Sequence, residues 1–403
     1  MFRSSKSLKP ISVAMPILSV CTYVLGNSSN RRNEFLALAV FYVWIFAILS
    51  TTRAVFGDDE PSEETLSAEP TLLAAEMETR WQPTHASGPN QAPCKSAVPI
   101  SEIYEISTRH LPDRFTSINF CQTNVEVNKW SGNGWFRTSV EDALPSGGSG
   151  VLTIVYVHGN FMERQNARER VRIVDSYFRK QADRPYRLLM LSWPSQPEKR
   201  PIRDALTNAD SADCHSLYIA WMLQHLRDEP QVSLLGFSFG ARAVTGGLHL
   251  DAGGVIPGYA TSPIPNQSPM LNYRLGLVAP AIDRHWMENN GRHRMALTHV
   301  DSLVNLYNSR DPILRRFRFV DRFSRPTAAG FAGFAGIATL SDPRSTTPLS
   351  GQTRIRQYDC GAVIGTTHSE KSYYGECPYF CTLVQHLLWK EPRISTSNAP
   401  VIP

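Results

Sequence analysis

From residue 101 onward, short apolar runs rich in β-branched residues alternate with longer stretches of helical periodicity. The candidate strands are 103–108, 118–127, 151–157, 187–192, 232–235, 275–278, 303–307 and 354–358. The candidate helices are 162–181, 204–227, 239–250 and 370–389. Because strands that alternate with helices build a parallel sheet covered on both faces, the pattern predicts an α/β fold with a mostly parallel eight-stranded sheet. The first two runs have no helix between them, which predicts an antiparallel start.

The N-terminal residues have the pattern of a leader. Residues 35–49 form an uninterrupted apolar run, with Arg31 and Arg32 before it and the acidic residues 58–60 after it. A basic flank, an apolar run and an acidic far side are typical of an export signal or a signal anchor. We therefore expect a signal peptide or signal-anchor helix at 35–50 within a leader of residues 1–56, and both cleavage and anchoring stay open.

The rest of the chain divides by composition. Residues 57–100 are acidic and rich in proline, which predicts a solvated linker, and residues 391–403 are predicted to be a flexible tail. The periodic segment between them, 101–390, is the predicted folded domain. With the leader in a membrane or removed, this domain would lie on the non-cytoplasmic side or be secreted.

The net charge of +5 belongs to the leader. Six of the 41 basic residues but only one of the 36 acidic residues lie in residues 1–54, so the remaining chain is neutral. A neutral body argues against nucleic acid as a partner. The cysteines outside the leader allow disulfides in an oxidising compartment, and buried free thiols are the alternative. They are at positions 94, 121, 214, 360, 377 and 381.

The candidate strand at 232–235 leads directly into the sequence GFSFG at 236–240 and then into a helix that begins with small residues. A G-x-S-x-G pattern between a strand and a helix is typical of a nucleophile elbow, in which the serine, here Ser238, occupies a strained turn. Gly236 and Gly240 are needed there because a Cβ would clash where strand and helix approach each other. The alternative interpretation is a tight turn with a capping serine.

Two further motifs lie upstream of this turn. The run at 151–157 ends in HGNF at 158–161, and the next run ends in SWPS at 192–195. With these motifs the chain resembles the α/β-hydrolase superfamily over about residues 101–390, in particular an esterase/lipase-like branch with a Ser-Trp-Pro-Ser strand end. The resemblance implies an α/β-hydrolase fold, a serine nucleophile, and an acid and a histidine that follow it in that chain order.

The candidates for the acid and the histidine that should follow the serine come after later strands. Asp311 comes after the run at 303–307 and before a proline that ends the strand, while Asp283, after an earlier strand, is the rival acid. His368 lies in a Gly/Thr loop between the last strand and a helix, from which an imidazole can reach the serine. His386 lies inside that helix and is expected to be a packing or surface residue.

The resemblance also implies an oxyanion hole, formed by the N–H of Phe239 and the N–H of Asn160 or Phe161. His158 precedes the serine, against the chain order of this superfamily. We therefore expect His158 to orient the loop that follows it rather than to act as the base.

These residues predict a serine hydrolase that cleaves the carboxylic ester of a small molecule or lipid through an acyl-enzyme, with Ser238, Asp311 and His368 as its triad. The sequence contains no HExxH, no paired His/Cys spacing and no glycine-rich phosphate loop, so neither a metal nor a cofactor is predicted. The alternative is an inactive, membrane-anchored binding or scaffold protein of the same fold. Acyl group, alcohol and oligomeric state stay open.

Residues 313–352, after the candidate acid, have a stretch rich in glycine, phenylalanine and alanine at 330–336, and before it phenylalanines interleaved with Arg315, Arg316, Arg318, Arg322 and Arg325. One interpretation is a lid, or a patch for lipid or an anionic substrate. The other, which we favour, is a solvated amphipathic helix followed by a flexible loop.

We expect the intact chain to fractionate with membranes or a shortened chain to be exported, because residues 35–49 are apolar enough to engage the export machinery. Cell fractionation followed by intact-mass measurement distinguishes the two. A double variant, Val40→Asp with Phe46→Lys, interrupts the apolar run and should move the protein to the soluble fraction. Recovery of the unaltered intact chain as soluble cytoplasmic protein would contradict the predicted leader.

Overall fold

The computed structural model describes residues 101–112, 115–119, 123–195, 201–259, 272–319, 325–336 and 353–390, with backbone alone at 201–206. The predicted leader, linker and C-terminal tail lie outside these ranges. Within them, no helix is both long and apolar enough to cross a membrane.

One sheet runs through the described part of the chain. Its strands are β1 (Ser101–Ser107), β2 (Glu126–Trp130), β3 (Trp135–Thr138), β4 (Leu152–Val157), β5 (Tyr186–Ser192), β6 (Val232–Phe237), β7 (Tyr273–Val278), β8 (Val300–Tyr307) and β9 (Arg354–Asp359). They pair in the order β3-β2-β1-β5-β4-β6-β7-β8-β9. Only the β1–β2 and β2–β3 pairs are antiparallel, so β2 alone runs against the other strands.

The helices fill the connections between the strands. They are α1 (Val140–Ala143), α2 (Arg164–Gln181), α3 (Pro201–His225), α4 (Phe239–Asp251), α5 (Ala329–Ala332), α6 (Gly361–Ile364), α7 (Glu370–Gly375) and α8 (Tyr379–Leu387), with a 3₁₀ helix at Leu314–Phe319. Every residue of β4, β5, β6 and β7 is buried, as expected for parallel strands covered on both faces. The core is therefore centred on these strands.

The predicted α/β class and the mostly parallel sheet are confirmed. The sheet has nine strands rather than eight, because the short edge strand β3 carries no apolar run that would mark it. The second predicted strand, 118–127, lies too early, since the strand itself is Glu126–Trp130. The single predicted helix at 370–389 is two helices, because Pro378 interrupts it and begins α8 as its N-cap.

The prediction of a flexible loop at 330–336 is wrong, because this segment is hydrogen-bonded and packed against the sheet. The N–H of Gly330 donates to the carbonyl of Pro280 at 2.9 Å, and the Gly330 carbonyl accepts from the N–H of Asn308 at 2.8 Å. A Cβ on Gly330 would lie 2.4 Å from the carbonyl carbon of Ala279, and Phe334 is buried. These residues are packed against the ends of β7 and β8.

A buried ion pair joins α3 to α4. The guanidinium of Arg242, on α4, contacts the carboxylate of Asp213, on α3, through two hydrogen bonds of 2.7 and 2.8 Å. Arg292 donates to the same carboxylate at 2.5 Å, and Trp286 packs its ring against both guanidinium groups. This cluster holds α4, the helix that follows Ser238, against its neighbour.

We expect Asp213→Asn to lower the free energy of unfolding by about 3–5 kcal/mol, because it removes the carboxylate from a buried guanidinium. Urea denaturation monitored by tryptophan fluorescence measures the loss. The matched control is Glu169→Gln, which removes the carboxylate of an exposed pair with Lys371 and should cost less than about 1 kcal/mol. Equal effects of the two substitutions would contradict the stabilising role of the buried pair.

Candidate functional site

Ser238 occupies a strained turn between β6 and α4. Its φ is 53° and its ψ is −117°, in the region of positive φ that L residues rarely adopt. The Ser238 N–H donates to the carbonyl of Val278 at 3.0 Å, and its own carbonyl accepts from the N–H groups of Ala241 and Ala281, both at 3.1 Å. These three backbone hydrogen bonds hold the strained residue at the carboxyl edge of the sheet.

The glycines of the GFSFG sequence lie where no side chain fits. A Cβ on Gly240 would lie 2.1 Å from the carbonyl oxygen of Val157, at the end of β4. A Cβ on Gly236 would lie 2.6 Å from the Cα of Ala241. Helix α4 thus begins in direct backbone contact with the neighbouring strand, as predicted from the pattern.

His368 bridges Ser238 and Asp311. The Oγ of Ser238 lies 3.0 Å from Nε2 of His368, and Nδ1 of the same ring lies 2.5 Å from Oδ2 of Asp311. Since Nδ1 faces a carboxylate oxygen, it carries the ring proton, and Nε2 accepts from the serine hydroxyl. The structure therefore brings together the three residues that the sequence assigns to a triad.

Asp311 is fully buried and both of its carboxylate oxygens have partners. Oδ1 accepts from the N–H groups of Ile313 and Leu314 at 2.9 and 3.0 Å, at the start of the 3₁₀ helix, while Oδ2 accepts from His368. One oxygen therefore fixes the orientation of the carboxylate while the other faces the imidazole.

The environment of His368 favours its charged form. Burial lowers the pKa of His368, but the charge of Asp311, its hydrogen bond and the charge of Glu370 together raise that pKa above its ordinary value. The ring also packs against Phe237, with ring centroids 5.4 Å apart.

Glu370, two residues after His368, anchors α7 in the core. Its Oε1 accepts from the hydroxyls of Tyr156, at 2.8 Å, and of Tyr374, and its Oε2 lies 3.5 Å from the guanidinium of Arg170. Burial raises the pKa of Glu370 despite the nearby guanidinium. The start of the helix after His368 is thereby fixed to β4 and α2.

The loop after β4 lies beside the Ser238 turn. A Cβ on Gly159 would lie 3.2 Å from the Cβ of Ser238, so the loop and the turn are in contact. Phe161 has a φ of 55°, and the side chain of Asn160 accepts from Asn208 at 2.7 Å. Across the turn, Phe239 is the first residue of α4, where the backbone N–H has no carbonyl partner within the helix.

His158 is fully buried behind this loop. Its Nε2 accepts from Arg109 at 3.1 Å and from the backbone N–H of Trp193 at 3.3 Å, so the proton is on Nδ1, which donates to the Gly159 carbonyl at 2.8 Å. Burial, together with the Arg109 charge, holds the pKa of His158 well below its ordinary value. Its ring stacks on Trp193. His158 therefore orients its loop as a neutral imidazole.

The other aspartate and histidine residues considered for the site contact different partners. Oδ1 of Asp283 accepts from the N–H of His285 at 2.8 Å, within its own turn, whereas Nδ1 of His368 faces Asp311. Burial lowers the pKa of His386 to about 3, which fits the expected packing role. Nδ1 of His293 lies 2.9 Å from the Thr245 hydroxyl.

A disulfide closes the segment that carries His368. Cys360 directly follows β9, Cys377 follows α7, and their Cα atoms lie 5.8 Å apart. Cys214 and Cys381 are free, the first buried and the second exposed, while positions 94 and 121 lie outside the described residues. The structure therefore contains both of the predicted alternatives, a disulfide and a buried free thiol.

A scan against models of protein families finds no match for this chain, and a search of curated proteins finds none either. Within the described ranges, no group of three or more His, Cys, Asp and Glu side chains is arranged to hold a metal ion.

We expect Asp311→Asn to lower the pKa of His368. The substitution removes the Asp311 charge, which raises this pKa, and leaves the burial that lowers it, together with the smaller contribution of Glu370. Titration of the histidine ring signals by NMR measures the shift, with His368→Gln to assign the resonance. Asp283→Asn is the matched control and should leave the titration unchanged. A shift with Asp283→Asn but not with Asp311→Asn would reverse the assignment of the acid.

Proposed function

We propose that this chain is a serine hydrolase of the α/β-hydrolase fold that cleaves a carboxylic ester in the manner of esterases and lipases. The observation that carries the proposal is the hydrogen-bonded series from Ser238 through His368 to Asp311. Its members follow three parallel strands, β6, β8 and β9, in the chain order serine, acid, histidine. The strained backbone of Ser238 adds support, because strain of this kind is concentrated at functional sites.

In the proposed reaction, Nε2 of His368 takes the hydroxyl proton of Ser238 as Oγ attacks the acyl carbon of the ester. The tetrahedral intermediate collapses as the imidazolium returns the proton to the leaving alcohol, which leaves the acyl group on Oγ. Water, deprotonated by the same imidazole, then attacks the acyl-enzyme, and the imidazolium returns the proton to Oγ as the carboxylic acid is released. Asp311 holds the ring in the required tautomer and stabilises the imidazolium.

The proposed oxyanion hole consists of two backbone N–H groups on either side of Ser238. One belongs to Phe239, where the positive end of the α4 dipole adds to the hydrogen bond. The other belongs to Asn160 or Phe161, in the loop that His158 and Asn208 hold in place. A donor already oriented toward the developing charge needs no rearrangement during the reaction.

Exposed apolar side chains support an ester with an apolar acyl group. Phe161, Ile313 and Val363 have 48%, 46% and 52% of their surface exposed. Phe161 is in the loop after β4, Ile313 is two residues after Asp311, and Val363 is on α6, five residues before His368, so all three are close in the chain to the site. Groups of apolar residues exposed at a site favour an apolar ligand over a charged one.

We expect the full-length chain, purified in detergent, to be labelled by a fluorophosphonate probe and Ser238→Ala to be unlabelled, because the probe reacts with an activated serine. The labelled residue is identified by mass spectrometry. Ser176→Ala, on the exposed face of α2, is the matched control and should label like the unaltered chain. Hydrolysis of nitrophenyl esters of increasing chain length then reports the acyl preference.

Three outcomes separate the alternatives. Labelling lost only in Ser238→Ala, together with ester hydrolysis, supports the proposal. Labelling that persists in Ser238→Ala would move the nucleophile elsewhere. A folded chain that is neither labelled nor active, with detergent or with lipid vesicles, would favour a binding or scaffold protein.

A further inference from the structure

Asn308 lies between the two loops that carry Asp311 and His368. It directly follows β8, is fully buried, and makes hydrogen bonds to both loops. Its role is not evident from the sequence, where an asparagine after a strand is an ordinary turn residue.

On one side, Asn308 shapes the turn that presents the acid. Its side-chain Oδ1 accepts from the N–H of Arg310 at 2.9 Å, and its backbone carbonyl accepts from the N–H of Asp311 at 3.1 Å. Its own N–H donates to the carbonyl of Gly330 at 2.8 Å. These three hydrogen bonds of Asn308 hold the turn that leads to Asp311.

On the other side, Asn308 holds the loop that presents the base. Its Nδ2 donates to the carbonyls of Gly365 and Thr367, both at 2.9 Å. Thr367 directly precedes His368, and Gly365 has a φ of 68° that lets the loop turn back. One amide group therefore contacts the acid turn and the residue next to the base.

The three partners leave this amide a single orientation. Two carbonyl oxygens face Nδ2 and one N–H faces Oδ1, so a flipped side chain would place like groups against each other at every contact. The backbone of Gly361 also lies close to this side chain, since a Cβ there would be 2.7 Å from Oδ1.

We propose that Asn308 is the positioning residue that sets the distance between Asp311 and His368, through its donation to the Gly365 and Thr367 carbonyls. The catalytic consequence rests on the proposed function, since it requires His368 to act as the base. The positioning role itself does not rest on the proposed function, because it concerns only the hydrogen bond between Asp311 and His368.

Asn308→Asp tests the proposal with a side chain of the same shape. The carboxylate still accepts from Arg310 but places an oxygen against two carbonyls, so the acid turn keeps its contact and the His368 loop is repelled. The matched control is Asn305→Asp, within β8 and at an equally buried asparagine, because Nδ2 of Asn305 donates to Gln357 rather than to either loop.

The first readout does not depend on activity. In the full-length chain labelled with ¹⁵N-histidine, an Nδ1–H bonded to a carboxylate gives a far-downfield proton resonance. We expect this resonance in the unaltered chain and in Asn305→Asp, and its loss in Asn308→Asp. The second readout is the hydrolysis of nitrophenyl butyrate, where kcat should fall on the order of 100-fold and KM change less than about threefold.

Asn308→Ser, which is neutral and leaves room for a water, repeats the test if the aspartate variant fails to fold or acts through its charge. Retention of the resonance and of kcat in the folded Asn308 variants, or the same loss in Asn305→Asp, would overturn the proposal. An unaltered chain with the resonance but without fluorophosphonate labelling or hydrolysis would remove the proposed function alone. The resonance of the variants then decides the role of Asn308.

Discussion

The positive-φ turn at Ser238 joins β6 to α4 at the place where helix and sheet come into backbone contact. Such a residue costs on the order of 1–3 kcal/mol and persists only where its surroundings hold it. Here backbone hydrogen bonds to Val278, Ala241 and Ala281 do so, and the helix that follows begins against the carbonyl of Val157. The loop after β4 and the first turn of α4 both lie against this turn, and the His368 ring reaches the Ser238 hydroxyl.

The central strands could be predicted from the sequence because burial on both faces leaves a continuous apolar run, as in β4 and β6. An edge strand has no such requirement, and β3, four residues long with Phe136 half exposed, has no apolar signature. The apolar periodicity also continues across Pro378, because α7 and α8 both bury apolar side chains. The sequence therefore predicts one helix where the structure has two. Local signals therefore predict which residues are buried more reliably than where an element ends.

The same contrast holds for the site. Ser238, Asp311 and His368 each follow a strand, so chain order and strand ends suffice to select them. The residues that hold them in place act across long stretches of chain, since Arg109 contacts His158 and Asn308 contacts Thr367. These hydrogen bonds join residues that are 49 and 59 positions apart, so neither the hydrophobic periodicity nor a short motif predicts them. Only the folded structure shows such pairs.

Strand β9 ends the sheet on the side of the histidine, and the backbone groups on its outer edge have no strand partner among the described residues. An exposed edge of this kind can pair with a second chain and begin aggregation unless charge prevents it. The guanidinium of Arg354 is paired with Asp301 on β8, so Arg356 is the basic residue of this strand with no carboxylate partner of that kind in the described part of the chain. Two molecules that paired edge to edge through β9 would bring Arg356 of each onto one shared sheet, and the repulsion between these like charges works against such pairing.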